Sequence, residues 1–286
     1  MKRLDNKWRL LSLPFNTELS DALQQQHHAA QFLAMAGRHL IPRQPDDSNT
    51  NMEYIPEKEM LFGNLLPEGV RLGLQLSEMK IFILDDKNET KTEITLAGKT
   101  QIAVFEEIKR NLKNLGVDVS GFSNEMHYEI PEHKLDRGDV FSVSNKKYFI
   151  ENTLYRHNAK VVLIEVAKDF EQAEPVRIWP HHFDTGTFIP LAHNKKGDLS
   201  KSFGLGLAIP DSMIDEPYFY LSFWSEKPVK GIENIKPSEV GKWMMPDWNG
   251  AVLKLSEILK ENKAVNQHKL VKSFFQTGID TLKSVL

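Results

Sequence analysis

Two apolar rhythms alternate along this chain, and their alternation is the tightest constraint on its fold. A run whose apolar positions recur every three or four residues favours a helix, and one whose apolar positions alternate favours a strand. Leu23, Ala30, Leu33 and Ala34 keep the helical spacing, which predicts a helix from Asp21 to Leu40. Ser20 or Asp21 can cap it, and Gly37 and Pro42 bracket its end. Arg71 to Leu76 then alternates, Met79 to Leu84 is more continuously apolar, and Thr92 to Leu96 returns after a polar turn at 85–90. Gln101 to Leu115 is helical again, with Ala103, Val104, Ile108, Leu112 and Leu115 inward and Gly116 as its stop. Between the first helix and these strands, the stretch Pro42 to Pro67 is long for a connection, and such loops are functional or mobile.

The same order recurs. Asn152 to Phe170 suits a helix; Val176 to Leu191, Phe203 to Ile209 and Pro217 to Trp224 suit three strands. Asn249 to Leu259 reads as a helix with Ala251, Val252, Leu255 and Leu259 buried. A last helix, Asn266 to Leu286, gathers Leu270, Val271, Phe274, Phe275, Ile279 and Leu282 on one broad face, to be packed on the fold or used in a homodimer. The expected fold class is therefore α+β, with antiparallel or mixed sheets and flanking helices. Its halves, 1–145 and 146–286, form one compact unit or two related ones. Gln26-His27-His28-Ala29 set against Arg156-His157-Asn158-Ala159 marks either a duplication or a chance match.

Composition removes several functions. Hydrophobic residues make up 41% of the 286 and charged residues 26%, enough for a sizeable core without staples. The chain has no cysteine, which excludes disulfides, thiolate zinc sites and thiol nucleophiles and fits a reducing compartment. A net charge of −3 without a Lys/Arg block gives no basis for nucleic-acid binding. The N-terminus lacks the apolar run of a signal peptide, and stretches such as Val161-Val162-Leu163-Ile164 are too short to span a bilayer. A cytoplasmic protein with no membrane partner is expected.

The most chemically loaded stretch runs from Val176 to Thr185. As an extended strand it would turn His182 and Asp184 to one face, and Trp179 and His181 to the other. A carboxylate beside an imidazole fixes its tautomer and raises its basicity, which suits His182 as a general base oriented by Asp184. Pro180 has no amide donor and suggests an edge strand or a bulge. The plain alternative is a satisfied polar cluster at a sheet margin. A catalytic zinc site needs three protein ligands, and no spacing singles out His27, His28, His157 or His193 as the third.

Two neighbouring patterns favour a ligand pocket. Gly204 and Gly206 fall on one strand face, leaving room for close approach. Tyr218, Tyr220, Ser222 and Trp224 also share a face, and either stack on a sugar or nucleobase or cover the glycine groove. Trp243 and Trp248 add aromatic surface nearby. On the first helix, Gln24, His28, Gln31 and Arg38 form a polar stripe, by default a solvated face. Turned toward the sheet margin, Arg38 would instead take a carboxylate or phosphate bidentately.

The strings Trp179-Pro180-His181-His182-Phe183-Asp184, Gly204-Leu205-Gly206, Glu216-Pro217-Tyr218-Phe219-Tyr220, Trp248-Asn249-Gly250-Ala251-Val252-Leu253 and Pro45-Asp46-Asp47-Ser48-Asn49-Thr50-Asn51 together resemble an uncharacterised family of bacterial proteins. The resemblance implies a bacterial cytosolic origin and a mixed α+β fold, and no reaction. A histidine commonly stands in that family where Asn49 stands here, so the resemblance argues against a metal site at that position.

The expectation is a small-molecule binding protein or hydrolase-like enzyme. Its pocket would take His182 and Asp184 as catalytic pair, and Trp179, His181, Tyr218, Tyr220, Trp248, His28 and Arg38 as ligand-binding walls. No cofactor is expected, a divalent metal being a third reading. The alternative is a non-enzymatic structural or interaction protein, as a homodimer.

Overall fold

The computed structural model describes residues 7–229, 231–232, 235 and 239–285. Five α-helices and two antiparallel sheets lie within them, an α+β fold. The chain divides into two compact units that exchange segments. One holds Asn16–Thr153 with Ile178–Phe183, and the other holds residues 7–15, Leu154–Arg177 and the chain from Asp184 onward. The division differs from a cut at 145/146, because sequence order does not reveal which unit a short segment joins.

In the first unit, helix α1 (Thr17–Leu40) starts earlier than expected: the Asn16 side chain, not Ser20 or Asp21, caps it by accepting the Leu19 N–H at 2.8 Å. Of the expected polar stripe, His28 and Gln31 are buried and Gln24 and Arg38 half-buried, so it is not a solvated face. Gln25, Gln26, His27, His28 and Gln31 are all buried. They tolerate this because they are hydrogen-bonded: Gln25 accepts the Ser142 N–H, and Gln26 donates to the Leu76 and Phe149 carbonyls. Gly37 permits the following loop to close on the helix, since a Cβ there would lie 2.1 Å from the Asn49 carbonyl oxygen. Asn49 in turn donates to the Gly37 carbonyl at 3.0 Å, so its role is to fasten that loop.

The stretch 42–67 is not structureless. It contains a 3₁₀ turn (Ser48–Thr50) and strands β1 (Glu53–Ile55) and β2 (Met60–Phe62), each too short to show a period. With β3 (Val70–Gln75), β4 (Lys80–Asp85) and β5 (Thr90–Thr95) they make a five-stranded sheet in sequence order. Helix α2 (Gln101–Asn114) is capped by Thr100, and Gly116 follows it at φ +88.

Helix α3 (Lys146–Ala167) begins in the first unit and its later turns belong to the second. The six-stranded sheet runs β10 (Lys242–Trp243), β11 (Gly250–Lys254), β9 (Tyr218–Ser225), β8 (Leu199–Ala208), β7 (Asp184–His193), β6 (Arg177–Trp179). The helix expected over 249–259 is instead β11 followed by one short helical turn, α4 (Leu255–Ile258). Ala251, Val252 and Leu253 are all buried, the pattern of a strand covered on both faces, which a short apolar run cannot distinguish from a helix.

Helix α5 (Ala264–Lys283) packs inside the second unit: Phe275 meets Phe219 edge-on at 6.0 Å, and Gly278 lets Leu221 approach. Val271, Phe274, Phe275, Ile279 and Leu282 are buried, so the face that suggested a homodimer is occupied by the chain itself. Buried Gln267 on α5 accepts from Trp8 Nε1 (3.2 Å) and Leu11 N–H (2.9 Å), and donates to the Leu11 carbonyl (2.9 Å). Among the described residues no helix is long and apolar enough to cross a membrane.

Candidate functional site

The stretch 176–184 is not one extended strand. Pro180 cannot donate to a ladder, and β6 stops at Trp179. The Phe183 N–H then donates to the Trp179 carbonyl at 2.7 Å, closing a tight turn with Phe183 at φ +49. Positive φ on a bulky side chain is strained and persists only where its surroundings hold it. Here they do. The buried Phe183 ring stacks on His27 at 4.8 Å, within 2° of parallel. The Pro180 carbonyl accepts both His27 Nε2–H (2.8 Å) and Gln31 Nε2–H (3.0 Å). Ile178 is fixed by backbone bonds in both directions with Met52. With Pro180 and Phe183 drawn inward, His181 is half-buried and His182 is exposed.

A shelf of rings surrounds those two imidazoles within the first unit. The His181 ring lies 4.3 Å from His182, 5.6 Å from Tyr128 and 6.4 Å from Trp179. His127 meets Tyr128 edge-on at 5.0 Å and donates through Nε2 to Asp47 Oδ2 at 2.7 Å. The Tyr128 hydroxyl donates to Gln31 Oε1 at 2.9 Å; burial, with the Asp47 charge adding, pushes its phenol well above the ordinary range. Asp47, His127 and Tyr128 were not read from the sequence. Asp47 and His127 lie 80 positions apart in irregular segments, where no period predicts an encounter.

His28 is held in a different set of contacts. Its Nδ1 is 3.4 Å from Asp136 Oδ1, and its ring is 5.5 Å from that of His133. His133 Nε2 donates to Asp21 Oδ1 at 3.1 Å, and Lys134 reaches the same oxygen at 2.9 Å. Burial pushes the His28 imidazole below its ordinary value, against the opposing pull of Asp136. Arg38 is half-buried near the end of α1, about 15 Å along the axis from His28, so the two are not one site.

The remaining candidates belong to the second unit. Register pairs Gly206 with both Gly186 and Tyr220, and a Cβ on Gly206 would fall 2.5 Å from the Tyr220 ring. Tyr220 therefore fills the glycine groove. Its hydroxyl donates to Asp184 Oδ2 at 2.6 Å, and burial followed by the Asp184 charge holds the phenol far above its usual range. Trp248 lies edge-on to Tyr220 at 6.4 Å, and Tyr218 donates to Asp211 at 2.6 Å. Arg156, only 2% exposed, donates to Thr185 Oγ1 at 2.8 Å. Desolvation lowers the Arg156 guanidinium to about 10, partly countered by Asp184. Asp184 thus serves Tyr220 and Arg156, and the strand geometry expected to turn it toward His182 is absent.

The nine expected residues consequently fall into separate groups. Trp179, His181 and His182 belong to the ring shelf, His28 joins Asp136, Arg38 stands apart near the end of α1, and Asp184, Tyr218, Tyr220 and Trp248 join the second unit's network. His157, once a possible ligand, donates to the Lys7 carbonyl at 2.9 Å. Among the described residues no three His, Asp or Glu side chains gather as a metal site would require. Comparison with protein-family models, curated proteins and solved structures gives no match. The geometry alone carries the functional argument.

Proposed function

We propose that this protein binds a small planar molecule on the ring shelf formed by Trp179, His181, His182, Tyr128 and His127. One observation carries the reading: a strained turn, anchored through Pro180 and Phe183, leaves the His182 imidazole exposed and the His181 imidazole half-buried among rings instead of sealing both inside. Backbone strain of this kind concentrates where a protein preorganises a site. Aromatic and imidazole rings offer flat faces for stacking, and the ring nitrogens offer donors and acceptors at the edge. A nucleobase, a pterin or an aromatic carboxylate has the matching shape.

The test is a calorimetric screen of such planar compounds, followed by His181→Ala and Tyr128→Leu. A ligand of the shelf should bind each variant about tenfold more weakly, or worse, a loss of about 1.4 kcal/mol. His182→Ala should weaken it while leaving thermal stability within about 1 °C of the parent. A panel without a single binder, or a binder indifferent to His181→Ala, rejects the reading.

A second reading, general-base hydrolysis, rests on the Asp47–His127 pair. A carboxylate 2.7 Å from Nε2 fixes the tautomer and leaves Nδ1 as the proton acceptor. An activated ester is the probe. Turnover should fall about a hundredfold in His127→Ala, and turnover that survives that change rejects catalysis by this pair.

A further inference from the structure

The other end of the second unit's sheet holds a feature that neither reading uses. Strands β7 and β8 are joined through Asn194-Lys195-Lys196-Gly197-Asp198. Asn194 organises the turn: its Oδ1 accepts the Lys196 N–H (2.9 Å) and the Asp198 N–H (3.1 Å), and its own N–H donates to the Asp198 carbonyl (2.8 Å). Gly197, at φ +87, supplies the left-handed residue the turn needs. The end of β9 is pinned beside it by Glu226 N–H donating to the Ser200 carbonyl at 2.9 Å.

Between these segments opens a cleft of about 590 Å³, lined by the turn with His193, Ser200, Lys201, Ser225, Glu226 and Lys227. That volume is within the range of small-molecule sites. Four lysines face two carboxylates around it. Both carboxylates are already engaged, since Asn194 Nδ2 donates to Asp198 Oδ2 and to Glu226 Oε1, each at 3.3 Å. Among the described residues, the ammonium groups of Lys195, Lys196 and Lys227 have no carboxylate within 4.0 Å. Four ammonium groups against two carboxylates leave the lining net positive, and with the Ser200 and Ser225 hydroxyls in the same lining it suits a multiply charged oxyanion. The cleft lies about 30 Å along β7 from Asp184, so it is separate from the Tyr220 network.

We propose that this cleft is a binding site for a small phosphate-bearing molecule. A polymer is disfavoured because the chain as a whole carries −3. This site does not depend on the ring shelf, and either can fail without the other.

The probe is pyrophosphate, titrated into the full chain and followed by amide NMR at low salt. Saturable shifts are expected at residues 193–201 and 225–227. The variant Lys195→Ala/Lys196→Ala/Lys227→Ala should raise Kd about tenfold or more, whereas Lys113→Ala on α2 should leave it unchanged. Should the triple variant fold poorly, Lys195→Gln/Lys196→Gln reads the same effect with Lys227 intact and should raise Kd several-fold. No saturation, shifts centred elsewhere, or equal affinity in a folded variant overturns the proposal. Tighter binding of a single-stranded oligonucleotide, with a slope of log affinity on log salt steeper than about −3, would also overturn it and mark a polyanion surface.

Discussion

Asp184 illustrates how one residue's chemistry depends on its neighbours rather than on sequence adjacency. Beside His182 in the chain, it suggested half of a catalytic pair; in the fold it offers Tyr220 an acceptor and gives buried Arg156 a counter-charge. Removing one member of such a set leaves the other charge uncompensated. Asp184→Asn should therefore cost roughly 3 kcal/mol in urea unfolding. Arg156→Met/Asp184→Asn together should cost less than the two single changes summed. Strict additivity would mean that the two groups do not interact. A contrast at the same scale separates the anchors of the strained turn from what it displays. His27→Ala removes the ring stacked on Phe183 and a hydrogen bond to Pro180, and should cost about 2–3 kcal/mol. His182→Ala should cost less than about 0.5 kcal/mol, as an exposed residue would. Equal costs would remove the distinction between scaffold and display.

At the scale of elements, β8 and β9 are fitted to one another through glycine and tyrosine. Gly206→Ala would place a methyl 2.5 Å from the Tyr220 ring and should destabilise by about 1–3 kcal/mol, with the Tyr220–Asp184 bond disturbed. A thermal midpoint unchanged by Gly206→Ala would show that the ring can retreat cheaply. The irregular segment 123–138 is fastened differently, through side chains. His39 donates to the Glu125 carbonyl, His127 to Asp47 and His133 to Asp21, while His28 faces Asp136. His28 is held below its ordinary value of 6.5 by burial, so the folded state binds fewer protons there than the unfolded chain. Its contribution is complete above pH 6.5 and is lost as pH falls through the folded value. Asp136 and Asp21 act lower on the scale. Burial alone would raise both, but hydrogen bonds from His133 and Gln101 to Asp136, and from Lys134, His133 and Gln25 to Asp21, hold them below 3.8. Their contribution is lost only at stronger acid. His28→Gln should flatten the dependence of stability on pH just below 6.5, and a profile identical to the parent's would assign that dependence elsewhere. The legibility of these elements followed their length. Helices α1, α2 and α5 and strands β3–β5 repeat their period often enough to be read. Strands β1 and β2 do not, and Ala251-Val252-Leu253 satisfied the wrong period. The ring shelf was half legible: Trp179 to His182 announced itself as a string, whereas Asp47 and Tyr128 reach it only through tertiary folding.

For the whole molecule, the decisive fact is that the two compact units are not two stretches of sequence. The first requires residues 178–183, whose Pro180 carbonyl satisfies His27 and Gln31. The second requires residues 7–15, where Trp8 and Leu11 are buried and bonded to Gln267. Expressed separately, 1–145 and 146–286 should each lack cooperative thermal unfolding, because each leaves buried polar groups without partners. Two sharp, independent transitions from those pieces would contradict this. The pairing of Trp8 with Gln267 also sets an order in time. At roughly 5–20 residues per second, a ribosome makes the second partner on the order of tens of seconds after the first. Throughout that interval the Trp8 indole and the Leu11 backbone lack this partner. Closing the second unit thus waits for α5, and a nascent chain stalled before that helix would hold Trp8 and Leu11 open to chaperones.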